Sequence, residues 1–254
     1  MRIGMGTGLL VFLLGLSVGS FLNVCIERLP KGESVIFPPS HCTACGHRLG
    51  LWDLIPVLSY IYLKGKCRYC RAAISLQYPL VELVTGLLFA VAWVRFGYSW
   101  NLVLAWVLVS CLTVITVVDL KHMVIPDEVL IFALVTGGIL LYLDSWTRLK
   151  WGLVSGLGAA SSLALVLVVS RGGMGWGDVK LAGVLGLFLA VGGTLAGLFV
   201  AFVAGALAGL SLVVAGRKGA KDVIPFGPFL SLGGLVAFFW GQEIVDWYLK
   251  LLVP

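Results

Sequence analysis

Charged side chains are scarce in this sequence. Asp, Glu, Lys and Arg make up 12% of its 254 residues, against 60% hydrophobic, and the mean hydropathy is +1.05. A soluble domain carries roughly twice that charged fraction, so the class implied is a polytopic membrane protein in contact with the lipid bilayer. Low-complexity tails and acidic or basic blocks are also missing. The net charge of +6 is therefore not read as a nucleic-acid footprint, since basic excess in membrane proteins usually sits in cytoplasmic loops. No GxGxxG-type loop follows a strand, which excludes a Rossmann-like cofactor domain.

What is present in quantity is long apolar runs. A crossing takes about 20 apolar residues. The spans expected are Ile3 to Ile26; Leu80 to Val94, interrupted by Glu82; Phe96 to Val118; Ile125 to Leu143, with Asp127 and Glu128 near its start; and Trp151 to Ser170. Leu181 to Gly216 would make about 54 Å of helix at 1.5 Å per residue, so it is divided near Gly192–Gly193 into a sixth and a seventh span. Val223 to Tyr248, with Glu243 and Asp246 near its end, is the eighth. Arg2 before the first run resembles a secretory signal, but the run is long and lacks a small-x-small cleavage site. It reads as an uncleaved first helix.

With both termini outside, the inner loops hold Arg28, Lys31, Arg48, Lys64, Lys66, Arg68, Arg71, Lys121, Arg171, Lys180, Arg217, Lys218 and Lys221. These are most of the 18 basic residues. Arg2, Arg95, Arg148, Lys150 and Lys250 stay outside. The bias favours this orientation, which puts Asp119, Asp178 and the long first loop on the cytoplasmic side.

That loop, residues 27–79, contains Cys42-Thr-Ala-Cys45 and Cys67-Arg-Tyr-Cys70. Two CxxC knuckles resemble a tetrathiolate zinc site, because the two-residue gap lets both sulfurs reach one tetrahedral ion at about 2.3 Å. Four protein ligands leave no open position, so the role is structural. In so small a loop the metal would supply much of the folding energy. The competing reading is a pair of disulfides, which requires an oxidising compartment. His41 and His47 flank the first knuckle as bystanders. Cys25 and Cys111 fall in spans and read as core residues.

Acidic residues in or beside spans are costly and are functional candidates. Glu82, Asp119, Asp127, Glu128 and Asp178 qualify. Asp119 ends the third span and Asp178 begins the sixth, so the topology sets them at similar depth. Two carboxylates brought together share a proton and can run aspartyl protease chemistry. The plainer reading is that each caps a helix or pairs with Lys121 or Lys180. A coupled transporter also keeps carboxylates in its spans, but these gather at one face. A zinc-bearing scaffold leaves both aspartates unexplained. Gly15 and Gly19, and Gly205 and Gly209, have GxxxG spacing, which in a polytopic bundle more often packs helices within the chain.

Taken together, the motifs resemble a known family. Gly175-Trp-Gly-Asp178 matches the GxGD signature of intramembrane aspartyl proteases. Gly19-Ser-Phe-Leu-Asn-Val24 with Glu27-Arg-Leu-Pro30 is similar to the opening of type IV prepilin peptidases. So are the two knuckles, Tyr78-Pro-Leu-Val-Glu82, Asp119 with Pro126-Asp127, and Pro225-Phe-Gly-Pro-Phe229. The resemblance runs in order from about Leu14 to Phe229.

It implies an all-α polytopic membrane protein of about eight transmembrane helices with a small zinc-binding cytoplasmic loop subdomain. The first helix would be residues 1–26, the loop 27–79 and a seven-helix peptidase core 80–254. It further implies a bifunctional enzyme of the bacterial inner membrane. Such an enzyme removes the basic leader of type IV prepilins or type II secretion pseudopilins, then methylates the new N-terminal amine with S-adenosylmethionine. By motif, Asp119 and Asp178 are the catalytic pair and Cys42, Cys45, Cys67 and Cys70 the structural zinc ligands. Gly175 and Gly177, lacking Cβ, would let an extended substrate backbone approach. For methyl transfer the polar groups to test are Asn23, Glu27, Arg28 and Glu82. Each has a second reading: Arg28 anchors the first span, Asn23 bonds between helices, and Glu82 pairs with a loop arginine.

Overall fold

A computed structural model describes residues 5–170, 173–216 and 224–252. Arg2, Ile3, Arg171, Arg217, Lys218, Lys221, Val223 and Pro254, which figure in the topology and span boundaries above, lie outside them. The described chain is helical and contains no strand among the described residues; two isolated bridges, His41 with Arg48 and Lys66 with Ala73, are its β-type pairing. The helices are α1 (Met5–Arg28), α2 (Leu58–Tyr62), α3 (Gln77–Phe96), α4 (Trp100–His122), α5 (Asp127–Asp144), α6 (Trp146–Val169), α7 (Trp176–Val214) and α8 (Gly227–Leu252).

Six of these, α1, α3, α4, α6, α7 and α8, are long and apolar enough to cross a membrane. The expected count of about eight needs α5 and two crossings from α7. α5 has 18 residues with Asp127, Glu128 and Asp144 among them. α7 runs for 39 residues and breaks at Ala190, where φ is 55° and ψ −174°. The stretch before the break is about 21 Å long, short of a hydrocarbon core of about 30 Å.

The break falls at Ala190 rather than at Gly192–Gly193. A positive φ strains an alanine, and the backbone it frees needs a partner inside a bundle. Thr194 provides one. Its hydroxyl donates to the Ala190 carbonyl at 2.5 Å and lies 2.7 Å from the Ser155 hydroxyl of α6. The glycines stay helical.

The chain forms two compact units, Met1–Val114 and Ile115–Pro254, with the division inside α4. In the first, α1 packs on α3 through small residues. A Cβ on Gly15 would lie 2.8 Å from the Gly86 Cα, and one on Gly19 would lie 2.7 Å from the Glu82 Cα. The Gly15–Gly19 pair thus joins helices within the chain. Phe89 of α3 stacks on Trp106 of α4 at 5.3 Å.

In the second unit α7 packs against α6 and α8 in the same way. A Cβ on Gly156 would meet the Gly183 carbonyl at 2.6 Å, one on Gly186 the Gly156 Cα at 2.6 Å, and one on Gly197 the Gly233 carbonyl at 3.1 Å. Gly205 and Gly209 face Phe226 and Ile224. Lipid tails give helices no hydrophobic reason to associate, so backbone proximity of this kind supplies the attraction.

Gly186→Ala is expected to lower the melting temperature in detergent by about 3–10 °C, as overpacking costs about 1–3 kcal/mol. Gly158→Ala, whose added Cβ meets nothing within 4 Å, is expected to leave it unchanged or raise it. A thermal-shift series on the two variants checks the difference.

Candidate functional site

Two polar assemblies stand out, one in each unit. In the first unit the four cysteine sulfurs all lie within 4.8 Å of one another. Cys42 Sγ and Cys70 Sγ are 3.8 Å apart, which is the edge of a tetrahedron with metal–sulfur bonds of about 2.3 Å and nearly twice a disulfide bond length of about 2.05 Å.

Local backbone chemistry sets this geometry. In the first knuckle Cys42 N–H donates to the His47 carbonyl and Gly46 N–H to the Cys42 carbonyl. In the second, Cys67 N–H donates to Ala72 and Arg71 N–H to Cys67. The residue after each second cysteine is left-handed, Gly46 at φ 71° and Arg71 at φ 62°, so the two knuckles repeat one turn. Backbone N–H groups of Cys45 and Ala44 pull the Cys42 thiol down to about 6, favouring the thiolate a metal requires. Neither histidine joins the cluster: His47 lies against Tyr69, ring centroids 3.6 Å apart, and His41 contacts the Pro39 carbonyl. Asp53 ties the loop together, accepting from Arg68, Tyr69 and Gly50. Against the desolvation that opposes it, these donors, Arg68 foremost, hold its carboxyl below the usual range.

The four residues weighed for methyl transfer are all near the loop end of α1 and α3. Arg28, 9% exposed, donates to the Ser34 and Pro38 carbonyls at 2.9 and 2.7 Å. Glu82, 7% exposed, accepts the Val57 N–H at 2.7 Å. Both therefore grip loop backbone, and no ion pair of Glu82 with a loop arginine occurs among the described residues. Asn23 donates to the Tyr78 carbonyl at 3.1 Å and so bonds between helices. Gln77, which sequence reasoning missed, donates to Asn23 Oδ1 and Glu27 Oε1, both at 3.4 Å. Its signal was its place one residue before Tyr78-Pro79.

In the second unit Asp119 and Asp178 are 5% and 8% exposed, yet each meets a helix N-terminus. Asp178 stands third in α7. Its Oδ2 accepts the Gly175 N–H at 3.2 Å while its own N–H donates to the Gly175 carbonyl at 3.2 Å. The GxGD segment is thus a capped helix start, not the loose turn its glycines suggest. Asp119 closes α4, and its Oδ2 accepts the Gly227 N–H at 2.9 Å, at the first residue of α8. A Cβ on Gly227 would sit 2.6 Å from that oxygen, so only glycine admits the carboxylate there. The signal for Gly227 was the Gly-Pro pair opening a helix, where proline needs no N–H partner. Unpaired N–H groups at a helix start favour a carboxylate.

Asp119 and Asp178 are thus two buried carboxylates of the second unit, each accepting one backbone N–H at a helix start. Asp127 is separate. It takes Lys180 Nζ on both oxygens at 2.8 Å, with both side chains about half exposed. That pair removes Lys180 as the partner of Asp178. Gly177 does not face an open slot: its missing Cβ accommodates Ile125, 3.1 Å away. A Cβ on Gly175 would instead meet Asp178 Oδ2 at 3.5 Å, so this glycine borders the carboxylate.

Comparison with known proteins gives a consistent result. Residues 13–96 match the bacterial peptidase A24 N-terminal domain and residues 106–210 the type IV leader peptidase family. A prepilin leader peptidase/N-methyltransferase of Bacillus subtilis is 38% identical, over 95% of this chain and 98% of its own. Those of Aeromonas salmonicida and Pseudomonas aeruginosa are each 34% identical, over 96% and 95% of this chain and 94% and 93% of theirs. No solved structure matches.

The cysteine geometry predicts about one metal equivalent per chain by elemental analysis. Cys67→Ser is expected to bring it below half, and chelation should expose residues 42–75 to protease, read by mass spectrometry of the fragments.

Proposed function

The chain belongs to the prepilin leader peptidase/N-methyltransferase family, and from that premise we propose that it removes the basic leader of prepilins or pseudopilins with Asp119 and Asp178, then methylates the new N-terminus. The observation that carries this reading is the pair of buried carboxylates in one unit, each accepting a backbone N–H at a helix N-terminus. A transporter has no need of that pairing.

Two carboxylates brought together share one proton. The ionised one takes a proton from a water, whose oxygen bonds to the scissile carbonyl carbon. The protonated one donates to the carbonyl oxygen. As the carbon–nitrogen bond breaks, the amine leaves with a proton from the dyad, which returns to its singly protonated form. Gly227 and Gly175 N–H each hold one Oδ2 in place. Gly175, without Cβ, leaves the Asp178 carboxylate approachable by a substrate backbone.

The orientation proposed puts the dyad and the cysteine loop at the cytoplasmic face of the bacterial inner membrane, where a basic leader meets the bilayer. The metal proposed for Cys42, Cys45, Cys67 and Cys70 is zinc in a structural role; four sulfurs within 4.8 Å of one another fit it. For methylation, S-adenosylmethionine would supply an electrophilic methyl group. Arg28 and Glu82 are engaged in holding the loop. Glu27, steadied by Gln77 beside Asn23, is the group we assign to take the proton of the amine.

Asp119→Asn and Asp178→Asn are each expected to slow leader cleavage by at least about 10³-fold with an unchanged melting temperature. Both should still methylate a pilin already processed. Mass spectrometry of a prepilin peptide reads both reactions. Processing at the wild-type rate by either variant would overturn the dyad.

A further inference from the structure

Ser231 of α8 is 2% exposed, and its hydroxyl has no hydrogen-bond partner among the described residues. That is unusual for a serine in an apolar helix. Elsewhere in the bundle Ser110, Thr113 and Thr85 return their hydroxyls to a carbonyl one turn back. A buried hydroxyl without a partner forfeits its solvation with nothing in exchange, so it implies a partner that arrives with water or substrate.

Its position is fixed by its neighbours on α8. Gly227, four residues earlier, lies against the Asp119 carboxylate, and Gly234, three residues later, lies against Leu185 of α7. Residues at these spacings share one helix stripe. Leu185 is in turn seven residues, about two turns, past Asp178. The stripe therefore starts at the dyad and runs along α7, with Ser231 one turn in from Gly227, a rise of about 6 Å. One turn from Asp119 on α4 is Ile115, and one turn from Asp178 on α7 is Ala182, both buried and apolar. Packing alone would place an apolar residue at 231.

We propose that Ser231 is a positioning residue of the peptidase site, holding the lytic water against the dyad from the membrane side. The hydroxyl donates to the water oxygen, and the water donates to a carboxylate of the pair. A water lodged among apolar side chains needs at least two polar partners; the dyad and Ser231 provide them. No bond is made or broken at Ser231. The inference rests on the dyad reading above.

Ser231→Ala separates this role from a structural one. An unpartnered hydroxyl contributes nothing to folding, so the variant should melt at the wild-type temperature or above it. Cleavage kcat for a prepilin peptide should fall between about 10- and 100-fold, the loss expected when one hydrogen bond to the reacting water is removed, with KM unchanged and methylation of a processed pilin intact. A lower melting temperature with unchanged kcat would mean that the hydroxyl is structural, and a change in KM alone would mean that it touches substrate; either overturns the proposal. Asp119→Asn and Asp178→Asn are assayed alongside. If they cleave normally, the dyad reading itself fails, whatever Ser231→Ala does.

Discussion

A hydrogen bond of 2.9 Å from the Gly227 N–H to Asp119 joins the end of α4 to the start of α8, and much of the second unit is arranged to permit it. A carboxylate at the end of an apolar helix has to find donors inside the protein. A helix start has N–H groups with no intrahelical acceptor. Each need meets the other here. The fit depends on the absence of a side chain at Gly227, and on Pro228 beginning α8 at a point where its missing N–H does no harm. Asp178 repeats the solution on its own helix. Both carboxylates are thereby oriented through one oxygen.

The same constraint shapes the first unit, with the roles reversed. There the irregular loop backbone lacks partners, and charged side chains from the spans provide them. Arg28 takes two loop carbonyls and Glu82 takes a loop N–H. A loop of this size buries little apolar surface, so these bonds and the cysteine cluster do the work that a core does elsewhere. Charged residues that look catalytic by their placement near the membrane are then accounted for by the fold. Glu27 and Gln77 meet through side chains at the same end of α1 and α3.

The sequence made plain whatever depends on local spacing. The CxxC pairs set the knuckles, and the GxxxG pairs set close contacts within the chain, at Gly15–Gly86 and Gly205–Phe226. Topology set Asp119 and Asp178 at similar depth, and both prove to be buried at helix ends. Features that arise from contacts distant in sequence were not legible. The break in α7 looked like a property of Gly192–Gly193, but it is held at Ala190 by Thr194 and by Ser155 from another helix. Of the eight spans expected, six helices are long and apolar enough to cross a membrane; the other two would come from α5, with its three acids, and from the short first part of α7. Gly177 looked like an opening for substrate and instead receives Ile125, a contact that no local pattern announces.

Asp178 shows what such contacts change. Three glycines around it suggest mobility, yet the capped start of α7 fixes its backbone, and packing of α7 on α6 and α8 fixes the helix. A glycine-lined turn would have to order around each substrate and lose the entropy of doing so. A helix start has already lost it. On the dyad proposed above, the aspartates would be the rigid partner, and the local unwinding needed to expose a scissile carbonyl would fall to the substrate. A pilin segment with weak helical preference at its cleavage point would meet this site at less cost than one whose helix continues unbroken through it. Under that proposal, selection by ease of unwinding would follow from the way Asp178 is held.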